Sequence, residues 1–421
     1  MKPANSGRYV LASSIIGLLL FTAWRALSLG LADHYAQSNP GRALWWRPDH
    51  PSALLQMAHE LAARNPERAR QLAEAALAAD PREGRANRIL GQIAERAGDL
   101  PSSIRLHETA SKLAPRDLPS HVWLERHYLA TGKIDLALEQ IDLMLRIEPE
   151  TQPRQFAIML AMAELPAAQS ALARLLSRRP PWRAGFVSYL SREATDSRAV
   201  APLVSKLRAQ PGGLQDSELA EWIERLSRDH RWGEGYLVWV GSLTPAQQLQ
   251  LDNVFNGGFE QEPSNNGFDW RFQHVSGASI ERLPDGGANG NLALRVSFED
   301  RRIPFNHVQQ LLALAPGRYR LAGRARAEGL RSERGLVWRV ICASDGRQIA
   351  STDPLMGHSP WRKFETDFEV PAQNCGGQWL QLAVPARIPA EQRIGGRAWF
   401  DEVRIVRQKK CSGSKAKPTP C

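Results

Sequence analysis

The stretch NVFNGGFE, residues 253–260, separates two parts of the chain that follow different patterns. Before it, alanine and leucine recur at the spacing of amphipathic helices. After it, apolar and polar residues alternate, as they do in strands with one buried face. The Asn-Gly-Gly step itself predicts a turn that delivers the first strand, with glycine at positive φ and Phe259 entering the core. The sequence therefore predicts a helical part followed by a β part.

Six segments of the second part carry the alternating pattern. They are LALRVSF, GRYRLAGRARA, RGLVWRVICA, WRKFETDFEV, QWLQLAVP and RAWFDEVRIV. Turn signals such as PDGG, APG, SDG and NCGG lie between them. Short alternating strands separated by turns favour antiparallel pairing, so we expect an antiparallel sandwich over residues 251–407 with Trp270 and Trp338 in its core.

The helical part repeats with a fixed period. Pro81, Pro115 and Pro149 follow one another at intervals of 34 residues, and Gly98 and Gly132 are separated by the same interval. This period resembles that of tetratricopeptide repeats, in which antiparallel helix pairs stack into a curved solenoid. The resemblance covers residues 49–181, and residues 182–250 are expected to form further helices packed on the solenoid.

The resemblance to tetratricopeptide proteins implies a concave groove that holds a segment of a partner protein. The first helix of each unit lines that groove. In the two clearest units the groove positions are Arg85, Arg88, Gln92, Arg96 and Arg126. The arginines favour an acidic partner segment, and the alternative is that they form only a solvated helix face.

The N-terminus carries an uncharged apolar stretch, residues 9–24, which follows Lys2 and Arg8. This stretch is shorter than the about 20 residues that a spanning helix needs. However, Trp24 suits a membrane interface, and Arg25 can extend its charge toward water. We expect residues 1–32 to contain a cytoplasmic tip and one transmembrane helix, with a linker at 33–48. The remainder is then periplasmic, and the whole is a single-pass protein of a bacterial inner membrane. The alternative is a cleaved signal peptide with its cleavage site at residues 30–32.

All four cysteines, Cys342, Cys375, Cys411 and Cys421, lie in the last quarter of the chain. None forms a CxxC motif or a Cys/His pair at metal-binding spacing, so a zinc site is not expected. In an exported domain Cys342 and Cys375 are a candidate disulfide, although four cysteines permit three pairings. The other two lie in a basic tail, residues 408–421, which we expect to be poorly ordered.

Several short motifs occur in a fixed order along the β part. They are the opening NVFNGGFE, a Trp-Arg pair at Trp270, PGRY before a central strand, WRKF at Trp361, and WFDEVRI at the end. In this order they resemble jelly-roll carbohydrate-binding modules. The resemblance implies an all-β jelly roll and a structural Ca²⁺ site at Glu260 and Asp401. The alternative is a pair of surface acids next to Arg404 or Arg271.

Sugar-binding sites present exposed aromatic faces flanked by amide or charged groups. If the leucines of QWLQLAVP point inward, Trp379 and Gln381 point outward together. These two residues are therefore candidates for glycan binding. Trp361, beside Arg362, is a third candidate.

Composition and motifs argue against several functional classes. The net charge is +10, but the arginines are spread along the whole chain rather than clustered with stacking aromatics, so no nucleic-acid partner is expected. The sequence contains no GxSxG, HExxH, GxxxxGK[ST] or GxGxxG motif, and its ten histidines are scattered. We therefore predict a protein that is not an enzyme and requires no cofactor.

The predicted fold class is multidomain: one N-terminal transmembrane helix, an all-α solenoid and an all-β jelly-roll sandwich. This combination resembles accessory proteins of exopolysaccharide or O-antigen assembly and export. It implies a membrane-anchored scaffold whose solenoid binds a partner protein and whose sandwich contacts a polysaccharide or other glycan. Two alternatives stay open: a protein-protein assembly factor whose sandwich has no sugar affinity, and a glycan-modifying enzyme with its site on the sandwich.

Overall fold

The first part of the chain is helical and the second part is β, as predicted. The computed structural model describes residues 6–285 and 290–408. Fifteen α-helices precede the strands within these residues. They are α1 (Ser6–Tyr35), α2 (Pro40–Trp46), α3 (Pro51–Leu61), α4 (Pro66–Ala79), α5 (Gly84–Arg96), α6 (Leu100–Leu113), α7 (Leu118–Ala130), α8 (Ile134–Ile147), α9 (Gln152–Glu164), α10 (Pro166–Ser177), α11 (Arg183–Glu193), α12 (Ser197–Arg208), α13 (Asp216–Arg228), α14 (Trp232–Val240) and α15 (Pro245–Gln248).

The β part contains ten strands in the described residues. They are β1 (Trp270–Phe272), β2 (Ala278–Pro284), β3 (Leu292–Arg302), β4 (Val308–Leu312), β5 (Gly317–Ser332), β6 (Val337–Cys342), β7 (Gln348–Ser351), β8 (Gly357–Val370), β9 (Gln378–Ala383) and β10 (Arg393–Arg407). The alternating segments of the sequence correspond to β3, β5, β6, β8, β9 and β10. The short strands β1, β4 and β7 carry too few residues for a clear alternating signal, and β2, with seven residues, has no buried position.

The chain forms two compact units. The helical unit contains the residues up to Arg183 together with Ala199–Gln210, and the β unit contains Ala184–Arg198 and the chain from Pro211 onward. Helices α11, α13, α14 and α15 thus belong to the β unit, whereas the sequence suggests that they pack on the solenoid.

The period of 34 residues is a period of helix ends. The repeats are the helix pairs α3–α4, α5–α6 and α7–α8. Helices α5 and α7, the first helices of the second and third pairs, are followed two residues later by Gly98 and Gly132, whose φ angles are 79° and 71°. Glycine adopts these left-handed angles without steric cost. The side chains of Asn65 and Asp99 then cap α4 and α6 by accepting from Arg68 N and Ser102 N, each at 3.1 Å.

The end of α1 is packed inside the helical unit. Ser28 and Ala32 are 6% and 0% exposed, and Ala36 forms a small core with Ala43 of α2 and Ala53 of α3. Residues 33–48, predicted as a linker, therefore contain the end of α1 and all of α2. The segment Ser13–Tyr35 is long and apolar enough to cross a membrane.

Helices α5 and α6 approach closely where Gly91 faces His107. A Cβ atom added to Gly91 would lie 2.9 Å from His107 Cδ2. His107 is fully buried, and its ring stacks on Trp123 with centroids 4.2 Å apart. Neither ring nitrogen has a hydrogen-bond partner among the described residues. Burial accordingly lowers the pKa of His107 to about 4.

The β unit is a sandwich of two antiparallel sheets. Within the described residues, the first sheet has the strand order β1-β4-β9-β6-β7 and the second sheet the order β2-β3-β10-β5-β8. Trp270 and Trp338 are buried between them, with ring centroids 5.5 Å apart. A disulfide joins Cys342, at the end of β6, to Cys375, and the two Cα atoms are 4.8 Å apart. Cys411 and Cys421 lie outside the described residues.

The stretch NVFNGGFE does not form the first strand, because it runs along β10 as a loop. Gly257 O accepts a hydrogen bond from Val403 N at 2.9 Å, and a Cβ atom on Gly257 would lie 1.9 Å from Val403 O. The positive φ angles fall on Asn256 (52°) and Phe259 (57°) rather than on the glycines. The prediction of positive φ at glycine is therefore wrong: glycine is needed here for close approach. The Asn256 amide stabilises its own left-handed conformation by bonding the backbone of Gln261 in both directions.

His107 predicts how the helical unit responds to acid. The unfolded chain takes up this proton near pH 6.5 and the folded unit only near pH 4, so stability falls as the pH drops through that interval, by about 3 kcal/mol in total. We expect His107→Phe to remove this dependence, and His59→Phe, at an exposed position of α3, to retain it. Urea titrations followed by far-ultraviolet circular dichroism at pH 7 and pH 4.5 provide the measurement. An equal loss of stability in wild type and His107→Phe would contradict the assignment.

Candidate functional site

Trp379 and Gln381 lie on the outer face of the first sheet, on its central strand β9. Leu380 and Leu382, which alternate with them, are fully buried in the core between the sheets. The alternation in QWLQLAVP thus places the two glycan-binding candidates side by side. Trp379 is partly buried and Gln381 is only 6% exposed, so neighbouring groups cover both.

A row of polar side chains crosses the outer face at Gln381. The strand register aligns Gln309 of β4, Gln381 of β9 and Arg339 of β6. Arg339 Nε donates to Gln381 Oε1 at 3.1 Å, and Gln381 Nε2 donates to Gln309 Oε1 at 3.0 Å. Burial lowers the pKa of the Arg339 guanidinium. The row therefore presents amide and cationic groups in fixed positions.

Arg271 lies over the indole of Trp379. Its Cζ atom is 4.9 Å from the ring centroid, and its Nη2 atom forms an ion pair of 2.6 Å with Glu224 of α13. The guanidinium is thus held by a cation–π contact on one side and a carboxylate on the other. A sugar ring that stacks on this side of Trp379 has to displace Arg271.

Helix α14 packs on the sandwich through aromatic rings. Trp239 contacts Phe255 and Phe268, with centroids 5.2 and 5.9 Å apart, and Tyr236 contacts Phe268 at 5.2 Å. These contacts lie beside the outer face of the first sheet, where Leu311 of β4 is only 1% exposed. Part of the face that carries Trp379 is therefore an internal interface.

Glycines in the loop before β9 make room for the same helix. A Cβ atom on Gly377 would lie 2.4 Å from Trp232 Cδ2. A signal for this packing is present in the sequence, although the prediction of further helices at residues 182–250 does not include it. Trp232, Tyr236 and Trp239 follow the i, i+4, i+7 spacing of one helix face. An aromatic stripe of this kind indicates a helix that packs on another element.

Trp361 lies on the outer face of the second sheet, away from the other two candidates. Its Nε1 atom donates to Asp285 Oδ1 at 3.2 Å, and Arg324 Cζ is 5.4 Å from its ring centroid. Arg326 also bonds Asp285, and it lies over Trp399 at 4.6 Å. The structure therefore brings Trp379 and Gln381 together and places Trp361 in a separate aromatic and basic cluster.

Glu260 and Asp401 lie on either side of Gly258. A Cβ atom on Gly258 would be 3.6 Å from Asp401 Oδ1 and 3.9 Å from Glu260 Cγ. Asp401 is fully buried, and Glu260 Oε1 accepts from the backbone N–H groups of Asn291 and Leu292 at 2.8 and 3.1 Å. Carboxylate oxygens next to a backbone without a side chain suit a hard cation such as Ca²⁺.

The described residues contain no group of three or more His, Cys, Asp or Glu side chains placed to hold a metal ion. A Ca²⁺ ion at Glu260 and Asp401 would therefore need backbone carbonyl or water oxygens as further ligands. Of the two nearby arginines considered from the sequence, Arg404 pairs with Glu402 at 3.5 Å and Arg271 with Glu224.

Two of the groove arginines hold the solenoid together. Arg88 forms an ion pair of 3.1 Å with Asp117, and the side chains are only 13% and 7% exposed. Arg96 Nη1 donates to Ala62 O at 2.8 Å and thereby joins α5 to the end of α3. Both arginines stabilise the solenoid, since each connects neighbouring helix pairs.

The remaining groove candidates, Arg85, Gln92 and Arg126, are better placed to meet a ligand. Arg85 and Arg126 are exposed, although Arg85 also pairs with Glu83 at 2.9 Å. A cavity of about 370 Å³ lies between the first helices α3 and α5, and Arg85 is part of its wall. Its other lining residues are Gln37, Ser52, Leu55, Gln56, His59, Arg88 and Ile89.

Comparison with known proteins gives similarity to solved structures alone. No protein-family model matches the chain, and no curated protein matches it. A CBM4 module is 17% identical over 37% of this chain and 99% of its own length, with a TM-score of 0.28. TmCBM61, solved in complex with β-1,4-galactotriose, is 18% identical over 38% of this chain and 99% of its own, with a TM-score of 0.27. PilF of Pseudomonas aeruginosa is 17% identical over 52% of this chain and 87% of its own, with a TM-score of 0.24.

Proposed function

We propose that the protein is a non-catalytic, membrane-anchored scaffold of the bacterial cell envelope that binds a partner protein through its helical unit. The observation that carries this proposal is the cavity of about 370 Å³ between the first helices of two repeats, with Arg85 in its wall. Arg85 pairs with Glu83 but stays exposed, so its guanidinium can also meet an acidic segment of a partner. Arg126 is a second exposed arginine, on α7, the first helix of the following pair.

The anchor in this proposal is α1, with the N-terminus in the cytoplasm and both units in the periplasm. Lys2 and Arg8 precede the apolar stretch, and basic residues favour the cytoplasmic side. The disulfide between Cys342 and Cys375 is compatible with an oxidising compartment. A cleavage site at residues 30–32 fits less well, because Ala32 is buried within a continuous helix.

A second proposal is that the β unit contacts a glycan. It is favoured by the polar row of Gln309, Gln381 and Arg339 next to Trp379, because ordered amides and an aromatic face are the groups that bind sugars. A role in exopolysaccharide or O-antigen assembly or export remains a hypothesis based on architecture. The packing of α14 beside this face supports the alternative, a protein assembly factor whose sandwich has no sugar affinity.

A third proposal is that Glu260 and Asp401 contribute to a structural Ca²⁺ site. The glycan-modifying enzyme considered from the sequence would use these two carboxylates as its catalytic pair. Full burial of Asp401 favours a structural role, because a catalytic carboxylate has to reach its substrate.

Cross-linking in native membranes tests the partner-binding groove. With a photoreactive residue at Gln92 of the full chain, we expect one discrete protein adduct. Arg85→Glu combined with Arg126→Glu should reduce its yield about tenfold, which corresponds to about 1.4 kcal/mol of lost attraction. The control Arg105→Glu reverses an exposed charge on the second helix α6 and should leave the yield unchanged. A folded, membrane-bound chain without an adduct at position 92 would overturn the proposal.

Titration with purified envelope polysaccharides tests the glycan contact. By isothermal calorimetry on the full chain, we expect saturable binding that Trp379→Ala weakens about tenfold, through loss of the aromatic face. Trp361→Ala, on the second sheet, is the matched control and should bind as wild type does. The opposite result would move the site to the second sheet. No binding by the folded protein would favour the protein assembly alternative.

Thermal unfolding tests the Ca²⁺ site. A ligand at about one hundred times its dissociation constant stabilises the folded state by about 2.7 kcal/mol, so excess Ca²⁺ should raise the melting temperature of the β unit by about 5 °C relative to EDTA. Asp401→Asn and Glu260→Gln should lose that response, whereas Glu281→Gln on β2 should keep it. Identical melting temperatures of the wild type in Ca²⁺ and in EDTA would rule the site out.

A further inference from the structure

Three tryptophans meet where α1 enters the helical unit. The ring centroids of Trp24 in α1 and Trp46 in α2 are 5.7 Å apart, and those of Trp45 and Trp46 are 4.7 Å apart. Helix α2 follows the turn after α1 and folds back along it, so that Ala43 is fully buried. The end of α2 thus reaches the level of Trp24.

This level is also the end of the exposed apolar part of α1. Side chains from Ser13 to Leu27 are exposed, whereas Ser28, one residue further, is only 6% exposed. Trp24 is 56% exposed and Trp45 is 73% exposed. The exposed rings therefore continue the apolar surface of α1 onto α2.

Such a surface is unfavourable in water but suits a lipid bilayer. Soluble proteins rarely expose contiguous apolar patches of this kind. Tryptophan is enriched where the hydrocarbon core of a membrane meets the headgroups, since its ring is apolar and its N–H is polar. The cluster of Trp24, Trp45 and Trp46 has this composition at one end of an apolar helix.

Two arginines adjoin the tryptophan cluster in the sequence. Arg25 follows Trp24 directly, and Arg47 follows Trp46 and pairs with Asp49 at 3.0 Å. Cationic side chains at this level can meet the phosphates of lipid headgroups while the rings reach further in.

We propose that α2 is an interfacial helix, whose Trp45 and Trp46 insert with Trp24 among the lipid headgroups on the side of the membrane where the helical unit lies. The bilayer covers the apolar surface of α2, because that surface is continuous with the apolar part of α1. The inference rests on the proposed anchoring by α1 and adds a second lipid contact. The helical unit is then held at the membrane surface by two elements rather than one.

Photo-cross-linking of the full chain in vesicles of phosphatidylethanolamine and phosphatidylglycerol tests the contact. Benzoylphenylalanine is placed, in separate variants, at Trp45, at Leu20 within the apolar part of α1, and at Leu165. Leu20 and Leu165 are 67% and 57% exposed, and Leu165 lies between α9 and α10, remote in sequence from α2. All three positions are exposed, so the replacements should leave the fold intact. Adducts are identified by mass spectrometry.

The expected result is lipid adducts at positions 20 and 45, with at least a tenfold lower yield at 165. Lipid adducts at 20 without any at 45 would overturn the interfacial role of α2 and leave the anchor in place. Adducts of equal yield at 45 and 165 would also overturn it, because the contact would then be nonspecific. Absence of adducts at 20 would overturn the anchor itself, and a protein adduct at 45 would assign the surface to a partner protein.

Discussion

The close approach of Gly257 to Val403 organises the β unit. Because no side chain separates the two backbones, the loop lies against β10 and fixes the residues on both sides of it. Phe259 is thereby buried in the sandwich, and Phe255 is available to the Trp239 ring of α14. A single backbone contact thus joins the core, the packing of a helix and the pair of carboxylates around Gly258.

Local regularities of the sequence are sufficient to predict the fold class. The proline and glycine interval predicts the helix pairs because it marks where helices end, and alternation predicts six strands because one face of each is buried. The role of the Asn-Gly-Gly turn is predicted wrongly, since glycine serves two physical needs, positive φ and close approach. Only the position of Val403, far along the chain, decides between them.

The site is predicted less completely than the fold. The facing of Trp379 and Gln381 follows from a period of two residues, which is local information. Their neighbours come from other strands and from α13: Arg339 is aligned by strand register, and Arg271 is held by Glu224. A sequence does not state these registers, so the partial covering of the face becomes visible only in the folded structure.

The division of the chain between the two units constrains the order of folding. Residues 184–198 belong to the β unit, but the segment Ala199–Gln210 that follows belongs to the helical unit. During synthesis or export, the helical unit is completed only after α11 has emerged. The rest of the unit to which α11 belongs begins later, at Pro211. The order of the segments along the chain therefore does not follow the order of the units, and α11 can meet its partners in the β unit only after α12 has been made.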